Sequence, residues 1–434
     1  MKKLIATLIP VLVMVFASCE SDYSQEVTYK INEPVIMSKA EFRSSVTIRS
    51  TPRAINDKGK ISFYQGFLYI SETQKGIHII DNRNPANPIQ VGFIELLGNA
   101  DIAIRNNMLY ADSFVDLVYF DVTNPANPVL KGRVEDIFPD ALPILKNPYG
   151  FDYQKTFEQK ELGIVVGWKE VERTEKIDDF RSSWWKWGDG NFGIGTTHME
   201  RNGLDSNAAS GGNSINGSMS QFAIYDSKLY AVIKDKLVIF DISGTTPSKT
   251  GDELYIWRTV ETLFSYKDNL FMGTPTGMLI FSVKNPLKPE YMSSFEHAFG
   301  CDPVVVDNDL AYITVRSGNE CGQNTNDLII VDVKDVRKPH HIVTFPMVNP
   351  RGLGIDNNKL FVCDDGLKIY AITNEPRTLN QNLITHKRGM VGFDVIPYNN
   401  TLMMIAEDGL YQYDYSNTND IKLVSKITFV KNTP

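Results

Sequence analysis

Residues 303–315 read P-V-V-V-D-N-D-L-A-Y-I-T-V, and residues 328–332 read L-I-I-V-D. The first apolar run, the polar turn Asp307-Asn308-Asp309, a second run from Leu310 and a third ending at Asp332 predict three short antiparallel strands, with His341–Phe345 as an outer fourth. The phrase recurs six more times. Its closing runs are I-H-I-I-D (Ile77–Asp81), L-V-Y-F-D (Leu117–Asp121), L-V-I-F-D (Leu237–Asp241), M-L-I-F-S (Met278–Ser282), L-K-I-Y-A (Leu367–Ala371) and L-Y-Q-Y-D (Leu410–Asp414). Ahead of the seven runs sit the anchors Leu68, Leu109, Leu229, Leu270, Leu310, Leu360 and Leu402, spaced 41, 120, 41, 40, 50 and 42 residues apart. A period near 40 in a chain of short strands marks a β-propeller, one four-stranded blade per repeat. The fold expected is therefore all-β: a seven-bladed propeller with a long insertion, about 135–216, between blades 2 and 3.

Turn chemistry supports that parse. Asn106-Asn107, Asp268-Asn269, Asn357-Asn358 and Asn399-Asn400 stand at the first hairpin of their repeats, with Gln65-Gly66 and Asp226-Ser227 elsewhere. Asn, Asp and Gly tolerate the positive φ that two-residue hairpins demand. The Asp that closes five of the seven third strands is placed to accept backbone hydrogen bonds from the next turn, a structural role rather than a catalytic one. After it come Asn84-Pro85-Ala86-Asn87-Pro88, Asn124-Pro125-Ala126-Asn127-Pro128 and Asn285-Pro286-Leu287-Lys288-Pro289, whose prolines stop the strand. These runs and Asn-Pro turns resemble the LVIVD-repeat family of bacterial secreted and lipid-anchored β-propellers, over roughly residues 61–429. The resemblance implies a propeller and carries no established activity with it.

The N-terminus predicts an address. Lys2 and Lys3 precede an apolar stretch, Leu4–Phe16, too short to span a bilayer and suited to a signal peptide. It ends in Phe16-Ala17-Ser18-Cys19, similar to a lipoprotein cleavage box, so residues 1–18 are expected to be removed and Cys19 acylated, anchoring the chain through lipid. Glu20 and Asp22 resemble the surface-export signal of Bacteroidetes-type lipoproteins. The expectation is an outer-membrane lipoprotein of a Gram-negative bacterium, displayed at the surface. A polar tether, residues 19–30 with the lipidated Cys, leads to a propeller domain over residues 31–434. Within that domain Pro34–Ile36 and Glu41–Ile48 read as extended segments. One of them is expected to close the ring by pairing with the last blade, leaving no open edge. The net charge of −8 disfavours nucleic-acid partners.

The 120-residue gap between Leu109 and Leu229 holds the insertion, read as an excursion on the propeller's upper face. Leu162–Val171 alternates like a strand, and residues 202–217 turn to Gly, Asn and Ser, a flexible return. Trp184, Trp185 and Trp187, beside Arg181, form either a stacking platform for a sugar or another flat ligand, or the insertion's own small core. Asp302 and Arg351 complete the candidate contacts near the channel mouth. Apart from Cys19, the cysteines are Cys301, Cys321 and Cys363. Cys301 and Cys321 lie on one face of blade 5 and are expected to bridge, closing a loop worth about 3 kcal/mol. Cys363, in a second strand, reads as a small buried hydrophobe.

No nucleophile elbow, zinc-protease helix, phosphate loop or EF-hand appears, and the six histidines do not cluster at ligand spacing. No catalytic residue, metal or cofactor is assigned. Asp101, Asp302 and Asp394 near first-strand starts keep open a glycan-cleaving propeller with channel carboxylates, although each suits a backbone-capping role better. The leading expectation is a monomeric binding scaffold for an extracellular protein or glycan, with a structural envelope component as a further alternative.

Overall fold

The computed structural model describes residues 26–57, 59–176, the backbone of 187–188, and residues 214–218, 220–233, 235–297, 303–317 and 325–430. The chain opens with β1 (Glu26–Met37), helix α1 (Lys39–Ser44) and β2 (Thr47–Arg49). Repeat 1 forms β3–β6 (Ile61–Tyr64, Phe67–Glu72, Gly76–Asp81, Ile89–Glu95) and repeat 2 forms β7–β10 (Ile102–Arg105, Met108–Ser113, Asp116–Asp121, Val129–Val134). Next come β11 (Phe151–Asp152), helix α2 (Tyr153–Gln159), β12 (Ile164–Lys176), β13 (Trp187–Gly188) and β14 (Ile215–Asn216). Repeat 3 is β15–β17 (Phe222–Tyr225, Lys228–Ile233, Lys236–Asp241) with a split outer strand, β18 (Ser248–Lys249) and β19 (Leu254–Tyr255). Repeat 4 is β20–β23 (Thr262–Tyr266, Asn269–Thr274, Gly277–Ser282, Glu290–Glu296), and repeat 5 is β24–β27 (Val304–Asp307, Leu310–Val315, Asp327–Asp332, His340–Pro346). Repeat 6 is β28–β31 (Leu353–Asp356, Lys359–Val362, Leu367–Ala371, Leu383–Lys387), and repeat 7 is β32–β35 (Gly392–Tyr398, Thr401–Ala406, Gly409–Asp414, Lys422–Thr428).

Each repeat folds into one antiparallel up-and-down sheet, and these sheets make a propeller-like, all-β architecture. Among the described residues there is one further sheet, ordered β12-β1-β11-β13. The local chemistry behaves as the sequence suggests. Both turn residues have positive φ at Asn106-Asn107 (48° and 62°), Asn308-Asp309 (48° and 63°) and Asn399-Asn400 (47° and 65°), the pair of left-handed conformations that matches strand twist. In repeat 4 the turn sits one residue earlier than expected, at Lys267-Asp268, and Asn269 opens β21.

The closing aspartates are Asx caps. Asp121, Asp241, Asp332 and Asp414 each accept from the backbone N–H two residues on, at 2.8–2.9 Å. Hydrogen bonds from Ser243 hold the Asp241 carboxyl at about 2. The Asn-Pro turns add a second layer. Asn84, Asn124 and Asn285 accept at their carbonyls from the residue three on, at 2.9, 2.9 and 3.0 Å. Their carbonyl neighbours also clip adjacent sheets together: Tyr230 Oη donates to Pro286 O (2.8 Å) and Ser425 Oγ to Pro85 O (2.6 Å).

The first strands β3, β7, β15, β20, β24, β28 and β32 neighbour one another in that order, and β32 neighbours β3. Between consecutive sheets lie the apolar clusters that form the core, such as Leu109, Val118 and Phe120 against Ile77 and Ile94, or Phe361 and Cys363 against Val395 and Met404. Alternation along each strand supplies one apolar face to each neighbour.

Two N-terminal expectations are corrected. Glu41–Ile48 is extended only at its end, where Thr47 and Ile48 enter β2; its start is helical, with Ser38 capping α1 by accepting from Glu41 N (3.2 Å) and Phe42 burying the helix's apolar side. The N-terminal segment does not complete the last sheet. All four strands of repeat 7 come from Gly392–Thr428, while β2 pairs instead with β6 on the outer edge of repeat 1. Side chains and, among the described residues, the backbone bond from Val430 N to Ile55 O (2.8 Å) join the two ends. Strand β1 begins at Glu26, within the stretch read as tether.

Candidate functional site

The first strands surround a centre that this chain fills itself. Ile215 and Asn216 pair antiparallel with Phe63 and Ser62 on the inner edge of β3. Ser214 N donates to Ile104 O (2.6 Å), and Ile104 N returns a bond to Ser214 Oγ (2.9 Å). Asn216 Nδ2 donates to Ile102 O (3.2 Å) while its Oδ1 accepts from Ser62 Oγ (2.7 Å). Further along, Ser218 Oγ accepts from Leu353 N (3.0 Å) and Ser220 O from Leu263 N (2.8 Å). A stretch bonded to the first strands of repeats 1, 2, 4 and 6 must run within the circuit they form. Its small side chains fit for a physical reason: inward-facing backbone N–H and C=O groups need partners, and Ser and Asn supply donors and acceptors on short stems. Residues 214–217 are therefore packed structure, not the flexible return that their composition suggests.

The channel carboxylates are bound up in this packing. Asp101 is 2% exposed and forms an ion pair with Lys60, itself 3% exposed, at 2.6 Å. Its Oδ1 accepts from Ile102 N (2.8 Å) and Ser220 Oγ (2.9 Å), and its Oδ2 from Gln221 N (2.5 Å). Asp394 differs. Its Oδ1 caps Val395 N at 2.8 Å, but its Oδ2 has no hydrogen-bond partner among the described residues, and burial pushes its carboxyl well above the usual range. Each aspartate thus accepts from the backbone N–H of the residue after it, Asp101 just ahead of β7 and Asp394 near the start of β32, the capping role that their positions suggest.

Arg351 lies just ahead of β28, half-buried. Its guanidinium covers the Phe393 ring at 4.2 Å, its N–H donates to Cys363 O (2.8 Å), and its carbonyl accepts from Thr314 Oγ1 (2.7 Å). Cys363 is fully buried, a free cysteine whose thiol burial holds well above its ordinary pKa. Cys19, Arg181, Trp184, Trp185, Cys301, Asp302 and Cys321 lie outside the described residues. Trp187 is described in its backbone alone, as the β13 residue opposite Asp152.

The additional sheet sits over the loops joining second to third strands. Strand β1 pairs with β12 along its whole length, with a bulge at Val35/Ile36, and β12 covers the alternating stretch read as a strand. Ile164, Phe42, Phe114 and Val115 pack together beneath it, and Ile144 N donates to Gln74 Oε1 (3.2 Å). A buried charge cluster clamps α1 here. Asp116, 0% exposed, accepts from Arg43 Nε (3.0 Å), Arg133 Nη1 (2.6 Å) and Asp136 N (2.8 Å). Multiple donors compensate the buried carboxylate, which would otherwise be strongly unfavourable.

Sequence reading missed Lys60, Arg43 and a second buried group, Glu72–His78–Gln90. His78 Nε2 lies 2.9 Å from Glu72 Oε2, and Gln90 Nε2 lies 2.7 Å from His78 Nδ1, so the amide donates to the ring and the ring donates to the carboxylate. Burial opposes ionisation of Glu72, yet the bonds from His78 and Lys75 hold it down at about 2. His78 sits in the apolar face of a closing run, where its polarity was the one available signal.

Two segments, residues 57–94 and 98–136, match the LVIVD repeat. No curated protein matches the sequence. Among solved structures the chain is similar to Hsv2 of Kluyveromyces lactis, with 11% identity, a TM-score of 0.46 and coverage of 86% of this chain and 99% of that one. It is also similar to a protein from Lactobacillus plantarum (9%, 0.46, 76% and 84%) and to the computationally designed Ika8 protein (8%, 0.45, 88% and 93%).

Proposed function

We propose that this chain is a seven-bladed β-propeller that serves as a binding scaffold for a protein or glycan outside the cell, held at the outer membrane by lipid on Cys19. One observation carries the scaffold reading: the channel is occupied by the chain's own residues 214–218 and 220, so recognition falls to the faces. The upper face is the one built up, by the β12-β1-β11-β13 sheet, and Arg181, Trp184, Trp185 and Trp187 remain the candidate contacts from sequence. Rigid sheets beneath such additions position them well for recognition. A channel glycosidase fits less well, because Asp101 and Asp394 are each 2% exposed behind that filling and hydrolysis needs two carboxylates that reach substrate.

The seven-bladed count draws on the seven repeats and the circuit of first strands, with the 135–216 stretch as an insertion in the connection between blades 2 and 3. The address draws on the N-terminal sequence, with a Cys301–Cys321 bridge suited to an oxidising compartment.

A glycan array and a cross-linking capture on intact cells, both read with wild type and with Trp184, Trp185 and Trp187 replaced by Ala, test the scaffold. A ligand that binds wild type at least tenfold more tightly than the variant supports it, a loss of about 1.4 kcal/mol. Equal binding places recognition elsewhere. Cys19→Ala should release the protein from the membrane fraction or leave the precursor unprocessed.

A further inference from the structure

On the face opposite the additional sheet, where the first hairpins turn, the seam between repeats 7 and 1 opens into a cleft of about 520 Å³. That volume lies within the range of small-molecule clefts, about 300–1,000 Å³. Phe63 and Tyr398 supply its aromatic wall, with ring centroids 5.0 Å apart and planes at 43°, and Ile215 and Met403 its apolar floor. Gln65, Asn399 and Thr401 border it with neutral hydrogen-bonding groups. Tyr398 is 41% exposed, an unusual state for a ring that also packs on Phe63.

Charge narrows the class of ligand. Of the lining side chains Arg83 is the ionised one, and Asp81 holds it in a two-pronged ion pair (Nε–Oδ1 2.9 Å, Nη2–Oδ2 2.5 Å). An anion would meet a guanidinium whose charge Asp81 already balances, and a cation would meet the guanidinium itself. A neutral ligand with one apolar face and a polar rim meets neither obstacle. A pyranose ring has that form: its C–H face lies on an aromatic ring while its hydroxyls take and give hydrogen bonds to amides and hydroxyls at the border. The walls are also held in place before any ligand arrives. Asn82 and Gln412 bond reciprocally behind the cleft, and Ser425 Oγ ties repeat 7 to Pro85 O at 2.6 Å. Pre-formed walls reduce the ordering that binding would otherwise require.

We infer that this seam cleft is a binding site for a neutral saccharide of one or two rings, independent of the upper face. The test uses the full chain in a sugar-free detergent and a panel of neutral mono- and disaccharides, read by saturation-transfer difference NMR and by titration. At least one sugar should bind with a dissociation constant on the order of 10 mM or tighter. Tyr398→Ala, which removes the stacking face, and Thr401→Trp, which fills the cleft, should each weaken that binding at least tenfold. Melting within a few degrees of wild type shows that the variants fold. Replacing Trp184, Trp185 and Trp187 together should leave it unchanged, which separates this site from the upper face. No binding by any sugar in the panel, undiminished binding in either folded cleft variant, or loss in the tryptophan variant overturns the assignment.

Discussion

Asn82 and Gln412, 330 residues apart in the chain, exchange two hydrogen bonds where both are buried: Asn82 Nδ2 to Gln412 Oε1 (2.9 Å) and Gln412 Nε2 to Asn82 Oδ1 (2.6 Å). The pair spans the seam between repeats 1 and 7, where no strand crosses. Polar recognition replaces a shared ladder.

Removing either amide leaves the other buried without its partner. Gln412→Ala or Asn82→Ala should destabilise the protein by about 1–3 kcal/mol in urea denaturation. The double variant should lose less than the sum of the two, since it orphans neither group. Additive losses would show that the pair does not couple the ends.

Asn216→Ala tests the filled centre. The substitution removes a bond to Ile102 O and the acceptor for Ser62 Oγ, so the expected loss is about 1–3 kcal/mol. A flexible return would lose nothing measurable at this position in the same denaturation experiment.

Asp394 gives a pH signature. Its folded pKa lies above its unfolded value near 3.9, so its contribution is complete below that value and is lost as pH rises through the folded pKa. Asp394→Asn keeps the cap on Val395 N and removes the ionisation. The variant should melt higher than wild type at pH 7, with the difference vanishing at about pH 4. A lower melting temperature at pH 7 would show that the native carboxylate is ionised and stabilising.

Glu72 has the opposite sign. Its folded pKa, about 2, lies below the ordinary glutamate value, so its stabilisation is present above pH about 4.5 and disappears as pH falls toward 2. Glu72→Gln should flatten the acid limb of a stability-versus-pH curve and lower stability at pH 7. An unchanged acid limb would assign that limb to other carboxylates.

The repeats were legible because their signals are local. Alternation sets the strands of Leu310–Val315 and its counterparts, Asn and Asp choose the turn, and Asp332 caps the next one within two residues. What escaped is long-range or ambiguous in composition. Strand β1 finds its partner β12 well over a hundred residues later, and nothing in Glu26–Met37 names that partner. The stretch around Ser214–Asn216 has the composition of a linker, and its order comes from backbone groups on β3 and β7 that no local pattern encodes. The tryptophans Trp184 and Trp185, read as a platform or a small core, and the cysteines Cys301 and Cys321 lie outside the described residues, so the upper-face reading stands on sequence. The seam cleft was not foreseen, since Phe63, Ile215 and Tyr398 meet through the closure alone.

The contiguity of each repeat sheet bears on how such a chain can change over generations. The four blade strands of the first and last repeats are each encoded by one unbroken stretch, Ile61–Glu95 and Gly392–Thr428, with β2 and β14 added at the edges of the first. The unit of gene duplication therefore coincides with the unit of folding, and an in-frame copy of one repeat, about 40 codons, would arrive as a finished module with no strand divided between the termini. A ring closed by a shared strand ties both ends of its gene to that role. The centre sets the opposing constraint: residues 214–218 and 220 bond the first strands of repeats 1, 2, 4 and 6 at once, so a repeat added or deleted between them would part some of those bonds.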